Sequence, residues 1–298
     1  MWSQAGSASR VYDLSSSPLI GAIRAPTFVA GTSLDREKMI KPDPSSKPVG
    51  PPLSVKTELT IVACLGSSTT AGKGQAFNWI GELEQWPRNN RFRFRNFGVG
   101  GDLAYDALQR LPDVYACRPD KVVILVGGND VLALVSDKAR RFFRISKNLP
   151  TEPTPEWFRE NIRTIARRLK AETSAAIALC SLSPIGEDPS STHPFQSELN
   201  QRIKEYSTIV KEIARDESVH YIALYEAMFA RIMESPGRAF TNFRFLPFYR
   251  DAFRVLALRK SPDEVAQLNG WRFHTDGVHL NSRGGMILAD LVQEFLDK

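Results

Sequence analysis

The sequence predicts an α/β fold in which a mainly parallel five-stranded sheet is covered by helices on both faces. Three observations carry that prediction. From residue 58 onward, short β-type runs alternate with longer segments of helical spacing or length, the rhythm of strand–crossover–strand units. The stretch Leu59 to Gly72, LTIVACLGSSTTAG, reads as a buried strand that ends at a polar, glycine-flanked turn. In an open α/β sheet that is where ligands bind, beyond the carboxyl ends of the strands. The 298 residues, 42% hydrophobic and 24% charged, are enough to bury a substantial core in one or two domains.

Taken in order, residues 1–57 show little periodicity and are rich in Ser and Pro, ending in KPDPSSKPVGPPLS. Those prolines oppose both helix interiors and central strands, so an irregular N-terminal extension is expected. Arg10 and the nearby serines hint at organelle targeting, but Asp13 and the lack of an Arg-rich helical face oppose it. The domain itself is expected over 58–298. Its five strands are predicted at Leu59 to Leu65, Phe92 to Phe97, Val122 to Val126, Ala175 to Ser181 and Val219 to Leu224. Helices are predicted at Asn78 to Glu84, Tyr105 to Tyr115, Pro155 to Lys170, Phe195 to Arg215 and Ser282 to Leu296. In the last of these, Met286, Leu288, Leu291, Val292 and Phe295 fall largely on one face. Right-handed crossovers between such strands give a flavodoxin-like, three-layer α/β/α sandwich.

One region breaks the rhythm. An insertion at about 231–273 interleaves Phe240, Phe243, Phe245, Phe248, Tyr249 and Phe253 with Arg238, Arg244, Arg250 and Arg254. Two readings stand side by side: a satellite core covered by snorkelling arginines, or a lid whose aromatics meet acyl chains and whose arginines meet anionic head groups.

Composition narrows the function classes. No run approaches the roughly 18 to 20 apolar residues that span a bilayer. The start of the chain lacks the basic and apolar regions of a secretory signal, so a soluble, cytoplasmic protein without stable membrane insertion is expected. Cys64, Cys117 and Cys180 are odd in number and far apart, which fits neither a disulfide framework nor a zinc pattern and suits a reducing compartment. The net charge of +6 permits weak attraction to anionic surfaces, but no nucleic-acid-binding motif accompanies it. No metal and no cofactor are expected, since no carboxylate-histidine cluster has ligand spacing.

Four stretches together carry chemistry. They are Gly66-Ser67-Ser68-Thr69 after the first strand, Asn96-Phe97-Gly98-Val99-Gly100-Gly101-Asp102 after the second, Gly127-Gly128-Asn129-Asp130 after the third, and Asp276-Gly277-Val278-His279-Leu280-Asn281 ahead of the last helix. A serine after a strand more often caps the following helix than reacts, so the partners decide. Ester cleavage needs a nucleophile, a base, a group that orients the base, and donors aimed at the oxyanion. Ser68 can be the nucleophile and His279 the base, with Asp276 three residues earlier to fix its tautomer. The backbone N–H groups of Ser68 and Gly101 and the amide of Asn129 can form the oxyanion hole if the three strand ends are neighbours. Asp130 is expected to support the Asn129 loop. Of the other histidines, His193 reads as a helix-entry residue or part of a substrate mouth, His274 as a residue supporting the site or an exposed one, and His220 as structural.

These four blocks, in this order, resemble those of the SGNH hydrolases, also called GDSL-type esterases and lipases. The resemblance spans Glu58 to the C-terminus. It implies the SGNH hydrolase fold and ester hydrolysis through an acyl-serine intermediate on a small-molecule or lipid ester. It carries the nucleophile to Ser68, the oxyanion donors to Gly101 and Asn129, the base to His279 and its partner to Asp276. The register rests on Gly66 and Thr70-Ala71-Gly72, which set Ser68 rather than Ser67 on the nucleophile. One departure stands out: Ser67 occupies the place where the family commonly has Asp. Thioester cleavage, acyl transfer, a lysophospholipase-like activity using the insertion as a lid, and a catalytically silent binding module stay open at this level.

Overall fold

Five parallel strands hydrogen-bond in the spatial order β2-β1-β3-β4-β5, the doubly wound arrangement with a switch point between β1 and β3. They are β1 (Thr60–Gly66), β2 (Phe92–Gly98), β3 (Lys121–Leu125), β4 (Ala176–Cys180) and β5 (His220–Ile222). The computed structural model describes residues 59–298, and the extension expected at 1–57 lies outside the described residues. Between β1 and β2 come α1 (Ser68–Ala71) and α2 (Trp79–Gln85); between β2 and β3, α3 (Ala104–Gln109) and α4 (Leu111–Ala116). Three helices separate β3 from β4: α5 (Gly128–Val135), α6 (Asp137–Ser146) and α7 (Pro155–Glu172). The long α8 (Pro194–Asp216) leads to β5, after which come α9 (Leu224–Glu234), α10 (Phe245–Leu256), α11 (Pro262–Asn269) and α12 (Ser282–Leu296).

Alternation along β1 divides the core into two layers, because successive side chains point to opposite faces. Ala63 and Leu65 join Phe158, Ile162 and Ile165 of α7 and Tyr206 of α8 on one face. Val62 and Cys64 join Trp79 and Leu83 of α2, Met228 of α9 and Leu288 and Val292 of α12 on the other. Local chemistry marks the helix starts. Thr154 accepts from the Trp157 N–H ahead of Pro155, His193 Nδ1 accepts from the Phe195 N–H ahead of Pro194, and Asn281 accepts from the Gly284 N–H. His193 is therefore a helix-entry residue, and His220, stacked on Phe295 at 5.2 Å, is structural.

The differences from the sequence reading are local. The helix expected from Tyr105 to Tyr115 is two short ones that meet at Arg110, with Pro112 in the first turn of α4, where its missing N–H costs nothing. The fifth strand stops at Ile222 because Leu224 already begins α9. Helices α5 and α6 fill a stretch the periodicity did not resolve.

In register, Gly66 of β1 lies opposite Gly98 of β2 and Leu125 of β3, so three strands end at one level. The short α1 packs directly on the end of β2. A Cβ on Gly98 would collide with the backbone N of Ala71. Gly98→Ala must therefore push α1 away from the sheet and is expected to cost about 1–3 kcal/mol, the usual penalty for overpacking a tight contact. Urea denaturation measures this, and a change within about 0.5 kcal/mol, typical of a neutral surface site, would show that the contact yields freely.

Candidate active site

Because the ends of β2, β1 and β3 are adjacent, the turns that leave them converge. Ser68 is the first residue of α1, and its N–H, like any in a helix's first turn, has no intrahelical acceptor. Ser67 sits at the N-cap position, buried, with no capping bond from its side chain. Gly101 holds φ +79°, a left-handed conformation that glycine adopts without strain. Asn129, in the first turn of α5, donates from Nδ2 to the carbonyl of Asp102 at 2.9 Å.

The fourth block arrives as a tight loop closed by an antiparallel bridge between His274 and Leu280, with the Thr275 N–H donating to the His279 carbonyl at 2.7 Å. Asp276 Oδ1 accepts from the N–H groups of Val278 and His279 at 3.0 and 2.9 Å. Its other oxygen lies 2.7 Å from His279 Nδ1, and His279 Nε2 lies 3.1 Å from Ser68 Oγ. Burial alone pushes the imidazole pKa down. The charge of Asp276 and the hydrogen bond to it outweigh burial, so the His279 pKa stands above its ordinary value. Burial likewise pushes the Asp276 carboxyl up, but the charge of His279 and the hydrogen bonds from its ring and the two N–H groups bring it below the usual range.

The predicted site residues thus come together, and Asp130, as expected, serves the loops: it accepts from the Ala104 N–H at 3.1 Å, and burial pushes its carboxyl up to about 8. His274 is not exposed. It is fully buried, with Nδ1 2.8 Å from Glu187 Oε1 and Nε2 2.9 Å from the Pro184 carbonyl, so both ring nitrogens are engaged.

The roles of several supporting residues are set by tertiary contacts that no local pattern predicts. Asp102 ties Lys147 (2.6 Å) and Arg110 (2.6 Å), and Arg110 also donates to the carbonyls of Phe97 and Gly66, clamping the ends of β2 and β1 together. Glu187 accepts from the N–H groups of Arg272, Phe273 and His274 at 2.7–2.9 Å, so it anchors the entire histidine loop. Phe240 and Trp271 pack beneath that loop, where a Cβ on Gly277 would strike both. The aromatics of the insertion divide accordingly: Phe240 and Phe243 are buried and join the core on the α7/α8 face of the sheet, while Phe243, Phe245, Phe248 and Tyr249 line a cleft. Of the insertion's arginines, Arg250 and Arg254 are held internally by buried Asp251. The cleft, about 570 Å³, opens over Ser68 and His279, with Leu132, Phe142 and Phe143 on its far wall and Lys73 and Gln75 at its edge.

A parallel α/β/α sheet with these turns at its carboxyl ends defines a class, the carboxylic ester hydrolases of the SGNH fold. The chain belongs to the GDSL-like Lipase/Acylhydrolase family, whose model matches residues 64–285. Solved structures share the fold. The acetylxylan esterase Axe2 from Geobacillus stearothermophilus is 18% identical, with a TM-score of 0.54 over 80% of this chain and 95% of that one. A lipase/acylhydrolase from Enterococcus faecalis is 21% identical, with a TM-score of 0.52 over 80% and 95% of the two chains. LAE5, an alpha/beta hydrolase enzyme from the metagenome of Lake Arreo, Spain, is 16% identical with a TM-score of 0.53 over 79% and 94% of the two chains. A search of the curated proteins found no match.

Two predictions follow the charges. In Asp276→Asn the ring keeps its burial but loses the carboxylate, so the His279 pKa is expected to fall below the ordinary value near 6.5; an NMR titration still above that value would remove Asp276 as the cause. Burial pushes the Glu187 carboxyl up, but the bond and charge of His274 and the backbone N–H groups hold it below the ordinary 4.5. A depressed carboxylate stabilises fully above its unfolded pKa, and that stability drains away as pH falls toward the folded value. Glu187→Ala, which strands these donors, is expected to lose about 3–5 kcal/mol near neutral pH, and Glu187→Gln to flatten the pH dependence of unfolding below about pH 4.5.

Proposed function

We propose that the protein cleaves carboxylic esters through an acyl-serine intermediate, with Ser68 as nucleophile, His279 as base and Asp276 as the group that orients it. The observation that carries this reading is the unbroken hydrogen-bonded line from Asp276 through His279 to Ser68, 2.7 and 3.1 Å in its two steps. As Ser68 Oγ attacks the ester carbonyl, its proton passes to His279 Nε2. Asp276 holds the opposite N–H and stabilises the imidazolium. The oxyanion accepts from the N–H groups of Ser68 and Gly101 and from the second N–H of the Asn129 amide, the first being held by Asp102. The imidazolium then protonates the leaving alcohol, and water, activated by the same base, releases the acid. A thiol or another acceptor can resolve the same acyl-enzyme.

The apolar walls of the cleft favour an acyl or aryl group larger than acetyl, which leaves much of this volume empty. The hydrolase unit extends over 58–298 with the insertion at about 231–273. With free, buried thiols at Cys64 and Cys180, the reading extends to a reducing, cytoplasmic compartment.

Ser68→Ala is expected to abolish turnover of a p-nitrophenyl ester with the fold intact, and near-wild-type rates in that variant would overturn the assignment. Asn129→Ala is expected to lower kcat about 10²- to 10³-fold, the usual loss for one oxyanion donor. A fluorophosphonate that leaves Ser68 unlabelled would favour a silent binding module. A panel of acetyl, butyryl, long-acyl and acetylated-xylooligosaccharide esters decides the acyl group. Since only neutral His279 accepts the proton, its raised pKa moves the acid limb of the kcat/KM profile upward, and activity falls as pH drops through it.

A further inference from the structure

Helix α10 carries an apolar stripe that nothing among the described residues covers. Leu246, Tyr249, Phe253 and Leu256 recur at three- and four-residue intervals, confined to an arc of about 80° on an ideal helix. Leu246 and Leu256 are 78% and 73% exposed. The opposite side of the helix faces the body: buried Asp251 binds Arg254 and Asn269, and the Phe248 ring stands edge-on to His279 at 6.2 Å. The stripe continues onto α6, where Phe142 lies against Phe245 at 4.7 Å and Ile145 is 76% exposed. Together they make a raised apolar rim on one side of the cleft, with Phe142, Phe245 and Tyr249 shared between rim and cleft.

Cations border this rim. Lys138 and Arg141 flank Phe142 and Ile145, Lys73 lines the cleft beside Tyr249, and Arg244 and Arg259 lie just outside the two ends of α10. None of the five pairs with a carboxylate among the described residues. An amphipathic helix with apolar residues outward and basic residues at its margins lies in the plane of an anionic bilayer surface. A second copy fits less well, since a two-fold contact through this rim brings the same cations together and covers the cleft.

We infer that α10 and α6 dock the protein on an anionic lipid surface, with the cleft facing the interface so that an ester dissolved there enters between Phe245 and Tyr249. This rests on the ester hydrolase reading for the fate of the ester, but the docking itself needs no catalysis. The tethers of α10 to the site support the link: Gln75 Nε2 donates to the Phe248 carbonyl, and Asn269 Nδ2 bridges Asp251 to the Thr275 carbonyl.

The test is flotation of the full chain with vesicles of phosphatidylcholine alone and of phosphatidylcholine with phosphatidylglycerol in equal parts. Wild type and Ser68→Ala are expected to float alike with the anionic vesicles and weakly with the neutral ones. Leu246→Ser/Leu256→Ser is expected to lose at least about tenfold in partitioning, from the transfer free energy of two exposed leucines. Lys138→Glu/Arg141→Glu is expected to lose the preference for anionic vesicles, and both double variants to hydrolyse a water-soluble short ester at the wild-type rate, which also reports their folding. Equal flotation of wild type and the leucine variant, no preference for the anionic vesicles, or a dimer in sedimentation that the leucine variant abolishes while vesicles go unbound, would each overturn the docking. Retained flotation with no turnover of any ester would instead overturn the hydrolase reading alone.

Discussion

The parallel register of β2, β1 and β3 is the constraint on which the site depends. Gly66 opposite Gly98 and Leu125 brings three chain reversals to one level. Those reversals carry the serine half of the site: a helix start at Ser68, a left-handed glycine at Gly101, and an amide at Asn129. A slip of one residue in either pairing would move a turn by about 3.3 Å along the strand, more than the length of a hydrogen bond. Arg110, reaching the carbonyls of both Gly66 and Phe97, guards against such a slip.

The histidine loop has no strand to fix it and is held by a different means. Glu187 collects three successive backbone N–H groups, Phe240 and Trp271 fill the space under Gly277, and the Thr275 hydroxyl donates to the Gln75 carbonyl on the serine side. A buried carboxylate with this many donors is strongly committed to one geometry, because leaving any of the groups unpaired costs more than the bond gains. The residues that make the loop rigid come from the segment after β4 and from the insertion, so the irregular part of the chain completes what the regular sheet begins.

That division also explains what was legible in the sequence. The strands and the long helices α7, α8 and α12 were readable because burial on a face leaves a periodic trace, and the four site blocks were readable because each follows or precedes such an element. Helices α5 and α6 leave little periodic trace, because GNDVLALV opens on a polar turn and spans only eight residues, and DKARRFFRIS is dominated by charge. The roles of Glu187, Asp102 and Arg110 leave no mark in the sequence because their partners lie at other places in the fold: Glu187 meets His274 across 87 residues and Arg110 meets Gly66 across 44. No local pattern distinguishes such a glutamate from a solvated one. The aromatic–arginine insertion was ambiguous for a related reason: the same alternation serves a core at Phe240 and an open surface at Leu246, and only tertiary position separates them.

Ser68 and His279 are 211 residues apart in the chain. On a ribosome adding ~5–20 residues per second, Ser68 is made roughly 10–40 s before His279. During that interval the Ser68 hydroxyl has no imidazole beside it. The hydrogen-bonded line to Asp276 can close only after His279, which follows Glu187, α10 and α11 in the chain, has been made. The sequence distance alone therefore sets the order in which the two groups appear, the hydroxyl first and the imidazole last.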